Sequence, residues 1–314
     1  MKKRINHALV LFVIFGSLLE ALGQTTTHLF DYDSSTERAA SVVQRLEIDS
    51  VTTFEKVVLD GFDSKIPFYH YINKRTNKNN YVILLHGLGD SKEDWIYPSE
   101  PYLDWSKNTT AIKDSLVSLG YNIIIPDVKF HGERSYELGF RPPEDLPPGF
   151  SKNEEDSIIF ETLVTSTVKD LRIIMDYIQN SNNNSDLSFN VIGYSLGGNL
   201  AILLSIFDNR ITSIVGCVPP VNLPARDLEM LDWPEKIKQA QMNITPMTHA
   251  KNQKTPTLLL MGKKDFFANE SEVSGFFEKV STEEKKLKYF DAGHILPNTY
   301  KVDAIEWITQ HNNP

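Results

Sequence analysis

Ser195, His294 and Asp265 are the side chains whose types and surroundings best suit the making and breaking of a covalent bond. An alcohol near neutral pH is a poor nucleophile. It needs a base to take its proton, and the base needs an anion that fixes its tautomer and stabilises the imidazolium. Ser195 is the centre of Gly193-Tyr194-Ser195-Leu196-Gly197, after a short apolar run and before the apolar stretch 200–207. A serine at the apex of a strand-to-helix turn is held in a strained conformation with its hydroxyl projecting. Glycines two positions to either side remove Cβ atoms that would collide there. The helix starting beside it aims unpaired N–H groups and a positive dipole end at any oxyanion formed on a substrate. The chemistry this implies is attack on a carbonyl and transfer of its acyl group.

Eight histidines compete for the base. His294, in Asp291-Ala292-Gly293-His294, follows a short strand pattern, so a loop delivers it to the carboxyl edge of a sheet, where ligands of open α/β sheets bind. His131 also follows a strand but precedes the serine. His86 leads into a Gly-rich turn and reads as structural, and His249 falls in a separate helical segment. The acid should likewise end a strand. Asp265, after Leu258-Leu259-Leu260-Met261-Gly262, is the choice, with Glu270 and Asp291 as alternatives. The negative charge of a tetrahedral intermediate needs donors already in place. The backbone N–H groups of Leu196 and of Leu88, in His86-Gly87-Leu88, are the candidates. Tyr97, Trp105, Trp233, Phe266 and Phe267 could wall a substrate pocket, although aromatic residues near loops more often serve packing.

These residues need a scaffold, and the hydrophobic pattern supplies one. Segments 54–59 and 66–72 read as a hairpin, and 81–85, 122–127, 187–192, 211–218 and 257–261 as buried strands, with 288–290 as a short last strand. Helical periodicity runs through 108–119, capped by Asn108 or Thr109, and through 158–178, 200–207, 273–280 and 302–310. Strands alternating with helices predict an α/β fold with a doubly wound, mostly parallel sheet. Residues 24–50 read as a polar entry segment. Residues 219–254, too long for a simple crossover, read as a small helical cap inserted in a single domain of residues 24–314.

The N-terminus reads as a leader. Lys2, Lys3 and Arg4 precede an apolar core over residues 8–19 and then Ala21-Leu22-Gly23, the pattern of a secretory signal peptide cleaved after residue 23. The expected location is periplasmic or secreted, without stable membrane association after cleavage. The single cysteine, Cys217, can form no internal disulfide. A net charge of −9 offers no attraction to nucleic acid or to an anionic membrane.

The chain resembles the α/β-hydrolase superfamily from about residue 54 to its end. The resemblance rests on His86-Gly87-Leu88-Gly89, Gly193-Tyr194-Ser195-Leu196-Gly197-Gly198, Gly262-Lys263-Lys264-Asp265 and Ala292-Gly293-His294. Pro126-Asp127-Val128-Lys129-Phe130-His131-Gly132 is similar to the superfamily's loop after the fourth strand, with Phe130 where that loop carries glycine; Asp127 and His131 are read as structural. Within the superfamily the pattern is similar to the esterase, dienelactone-hydrolase-like and prolyl-oligopeptidase-like branches. The resemblance implies acyl transfer to water through an acyl-serine, without metal or organic cofactor. A small-molecule or glycan-linked ester is the substrate that suits an exported enzyme. A serine peptidase, a lipase or lysophospholipase, and a non-catalytic module on the same fold are the competing readings.

Overall fold

Apolar runs too short for helices and too continuous for a half-exposed sheet need burial on both sides, and they form the centre of the molecule. The computed structural model describes residues 28–74, 79–98, 103–223, 226 and 232–311, with 103–106 as backbone only. Its strands are β1 (Ala40–Glu47), β2 (Thr52–Asp60), β3 (Lys65–Asn73), β4 (Asn80–Leu85), β5 (Asn122–Pro126), β6 (Ser188–Tyr194), β7 (Ile211–Cys217), β8 (Thr257–Gly262) and β9 (Lys285–Phe290). They make one nine-stranded sheet in the order β1-β2-β3-β5-β4-β6-β7-β8-β9. The pairs from β1 to β5 along this order are antiparallel, and all pairs from β5 to β9 are parallel. Every residue of β4, β5, β6 and β8 is buried.

The helices are α1 (Leu103–Ser118), α2 (Glu154–Asn182), α3 (Leu196–Phe207), α4 (Glu235–Asn243), α5 (Pro246–His249), α6 (Glu270–Lys279) and α7 (Tyr300–Gln310). The chain steps from β4 through α1 to β5 in one direction along the sheet, and from β6 through α3 to β7 in the other. Right-handed crossovers therefore put α1 and α3 on opposite faces. In keeping with this, α1 packs on α7, and α2 on α3. The reversal falls between β4 and β6, and the carboxyl ends of these two strands open the crevice in which such sheets bind ligands.

Several expectations need correction. The entry segment contains β1, an edge strand exposed on both faces and therefore without the alternation that reveals a strand in sequence. The helix expected from residue 108 starts at Leu103, so Asn108 and Thr109 lie inside it and not at its N-cap. The proposed signal peptide lies outside the described residues. Of the segment read as a cap, α4 and α5 are described; Gln241 Nε2 donates to the carbonyl of Ser157, which ties α4 to the start of α2. Phe130 itself adopts φ 69°, in the left-handed region where a glycine would sit without strain.

Buried ion pairs fasten the loop after β5. Asp127 accepts from the backbone of Lys92 and of Glu133 and from the Lys92 ammonium at 2.7 Å. Arg134, fully buried, reaches Asp170 of α2 and Glu137, each at 2.9 Å, and Asp170 also accepts the N–H of Phe62 at 2.7 Å. Burial pushes the Asp170 carboxyl up while Arg134 pulls it down. Removing one partner leaves the other charged in the interior. Asp170→Ala is therefore expected to lower stability by about 3–5 kcal/mol, read as a lower urea midpoint with an unchanged slope.

Candidate active site

The turn from β6 into α3 puts Ser195 at φ 53° and ψ −116°, a conformation most side chains avoid. Its neighbours enforce it. A Cβ on Gly193 would stand 2.0 Å from the carbonyl oxygen of Gly197, and one on Gly197 would stand 2.3 Å from that of Leu85. Only bare backbone lets α3 start so close to β4 and β6. The Ser195 N–H donates to the carbonyl of Cys217 in β7 at 2.8 Å, which pins the turn from the other side.

Three strand ends meet at this hydroxyl. His294, on the loop after β9, has Nε2 2.8 Å from Ser195 Oγ and Nδ1 2.8 Å from Asp265 Oδ2, after β8. A carboxylate can only accept, so Nδ1 carries the proton and Nε2 is left to accept the serine hydroxyl. The other oxygen of Asp265 accepts the N–H groups of Phe267 and Ala268 at 2.9 and 3.2 Å, which holds the carboxylate in position beside the ring. Glu270 begins α6, and Asp291 forms an exposed pair with Lys264; neither is the partner of His294.

Two further contacts steady the loops. The Tyr194 hydroxyl donates to the carbonyl of His294 and accepts the N–H of Leu296, each at 2.9 Å. The residue before the serine thus holds the loop that carries the histidine. His86, fully buried and pushed down to about 4 by desolvation, stays neutral. Its Nδ1 donates to the carbonyl of Gly87 at 2.8 Å, and its Nε2 accepts the N–H of Val128. A trans peptide points its carbonyl and N–H in opposite directions. Holding the Gly87 carbonyl therefore also fixes the direction of the Leu88 N–H. Leu88 and Leu196 both line the cavity beside Ser195.

That cavity has two lobes sharing Ser195, His294, Leu88 and Glu144. The first, about 350 Å³, is walled by Gly87, Gly89, Asp90, Tyr194 and Ile295. The second, about 380 Å³, is more apolar, with Pro147, Phe150, Phe160, Pro220, Leu223 and Phe267 in its wall. Phe267 stacks edge-on to the His294 ring at 5.1 Å. The other expected pocket aromatics are not among the lining residues. Phe266 is 77% exposed beside Phe267, Tyr97 is 63% exposed, and Trp233 packs with Ile237 in a separate small cluster. The side chain of Trp105 lies outside the described residues. Phe150, Glu144 and Asp145 come from the Pro-rich stretch, which sequence reasoning treats as a connection; its distance from the motifs hides its place.

The single thiol is not a competing nucleophile. Cys217 is buried in β7, and desolvation raises its pKa. Among the described residues no group of His, Cys, Asp and Glu is arranged to hold a metal ion, and no helix is long and apolar enough to cross a membrane.

A model of the dienelactone hydrolase family matches residues 103–304. No curated protein matches the chain in sequence. Among solved structures, acetyl xylan esterase 1 from Thermoanaerobacterium sp. JW/SL YS485 superposes with a TM-score of 0.67 at 16% identity, covering 94% of each chain. An acetyl xylan esterase from Paenibacillus sp. R4 gives 0.64 at 17%, covering 92% of this chain and 93% of that one. A cold-adapted esterase from an Arctic intertidal metagenomic library gives 0.62 at 16%, covering 87% and 100%. At these identities the likeness speaks for the fold.

Asp90 offers a test of the cavity's electrostatics. Burial, with the charges of Asp94 and Glu144 nearby, pushes its carboxyl from 3.8 up to about 7. A raised carboxyl pKa means that ionisation costs the folded state more than the unfolded chain. The penalty grows as pH rises from 3.8 and is complete above about 7. Asp90→Asn removes it. The variant is expected to melt about 2–4 °C above the wild type near pH 8, with a smaller gain near pH 4, by differential scanning calorimetry.

Proposed function

For this member of the dienelactone hydrolase family, a carboxylic ester hydrolase, we propose catalysis through an acyl-serine formed on Ser195. The observation that carries the proposal is the unbroken hydrogen-bond chain from Ser195 Oγ through the His294 ring to Asp265. Ser195 Oγ attacks the ester carbonyl carbon while its proton passes to His294 Nε2. Asp265 stabilises the imidazolium and keeps the ring in its productive tautomer. The carbonyl oxygen, now negative, takes hydrogen bonds from the N–H groups of Leu88 and Leu196. Each such donor is worth on the order of a hundredfold or more in rate. The intermediate collapses, His294 returns the proton to the departing alcohol, and the acyl group stays on Ser195. Water, deprotonated by His294, then attacks the acyl-serine; the intermediate collapses, the acid leaves, and His294 Nε2 returns the proton to Ser195 Oγ.

The proposed substrates are short-acyl esters of small or glycan-linked alcohols. Two structural neighbours described as acetyl xylan esterases support this choice. The proposed location is outside the cytoplasm, supported by the basic and apolar pattern of residues 1–23.

A panel of p-nitrophenyl esters of rising chain length, run beside aminoacyl nitroanilides, tests the proposal. The wild type is expected to turn over the shortest esters fastest. Ser195→Ala should lose about a millionfold in kcat, and Asp265→Asn about ten-thousandfold with the fold intact. Cleavage of anilides but not of esters would reassign the enzyme to peptides, and retained turnover in Ser195→Ala would remove the serine from the mechanism.

A further inference from the structure

The cavity offers hydrogen-bond acceptors almost wherever it is polar. Gly89, at φ 83°, leaves room for the Glu144 carboxylate, whose Oε1 lies 2.6 Å from where a Gly89 Cβ would stand. Asp90 Oδ2 and Ser195 Cβ flank one point, the place of a missing Gly87 Cβ, at 2.5 and 3.5 Å. Both carboxylates line the same lobe as the serine. Asp145 lines the second lobe.

An independent feature points the same way. Asn199, one turn along α3 from Ser195, also lines the second lobe while only 5% exposed. Its Nδ2 donates to the carbonyl of Pro220, so its Oδ1 is the acceptor end, and that oxygen has no partner among the described residues. A buried acceptor without a donor is costly unless a ligand supplies one. Among the described residues that line the two lobes, none is Lys or Arg.

We propose that this site, resting on the ester-hydrolase reading above, takes esters of neutral polyols and turns away esters that carry a carboxylate. Hydroxyls of the alcohol donate to Asp90, Glu144 and Asn199 Oδ1. An anionic substrate brings like charge against the carboxylates and finds no cation to offset it. Desolvation already raises the Asp90 pKa, in keeping with a wall that cannot accommodate more negative charge. A neutral hydroxyl suits such a wall better than an ammonium does, because it can donate to an ionised carboxylate and accept from a protonated one.

Four acetate esters that differ only in the alcohol test this: ethyl acetate, glycerol monoacetate, 2-acetoxypropanoate and acetylcholine, followed by pH-stat. The wild type should show kcat/KM for glycerol monoacetate about tenfold or more above ethyl acetate, and for 2-acetoxypropanoate about tenfold or more below it. Glu144→Gln and Asp90→Asn should each shrink the carboxylate penalty by about threefold or more, and Asn199→Leu should erase most of the glycerol preference. Because the readout is a ratio between substrates, a partly misfolded variant does not distort it. Equal turnover of the ethyl, glycerol and carboxylate esters overturns the proposal, as do ratios that the three substitutions leave unmoved. Acetylcholine as the best substrate overturns it in favour of a cation site. Failure to cleave any of the four would overturn the hydrolase reading itself, a result distinct from a wrong ranking among esters that are all cleaved.

Discussion

Everything at the cavity depends on one forced backbone turn. Ser195 is held at a positive φ because β6 ends and α3 begins within a space that leaves no room for side chains on Gly193 and Gly197. Strain of this kind persists only where the surroundings over-determine it. Here the surroundings are the buried strands β4 and β7, one touching the turn through Leu85 and the other holding the Ser195 N–H through Cys217. The apolar core does more than stabilise the fold, because it fixes the direction in which a hydroxyl points.

The loops around the serine have their own anchors. Asp265 is satisfied on both oxygens, His86 holds the peptide before Leu88, and the Lys92–Asp127 and Arg134–Asp170 pairs fasten the segment behind it. Buried pairs like these are poor sources of net stability, since desolvation offsets most of their attraction. Their evident effect is to leave the loop after β5 one arrangement, including the left-handed residue Phe130.

Much of this was legible in the sequence for a physical reason. Strands buried on both faces must be apolar throughout, so β4 to β8 announce themselves, and residues placed just after them land at one edge of a parallel sheet. That logic selects Ser195, Asp265 and His294 by position alone, and the structure brings those side chains within hydrogen-bonding distance. It fails where burial does not decide. β1 is exposed on both faces and carries no period. Glu144, Phe150 and Phe160 reach the cavity from a Pro-rich loop and the start of α2, and no local pattern encodes that approach. Phe266 and Trp233 show the converse, since an aromatic residue near a motif in sequence need not face the site.

The Tyr194 hydroxyl bridges the carbonyl of His294 and the N–H of Leu296, so the segment bearing the nucleophile also carries the base's loop. Parts a hundred residues apart in the chain are thereby tied to one another. A nucleophile and base joined in this way should be lost together, so thermal inactivation should coincide with global melting.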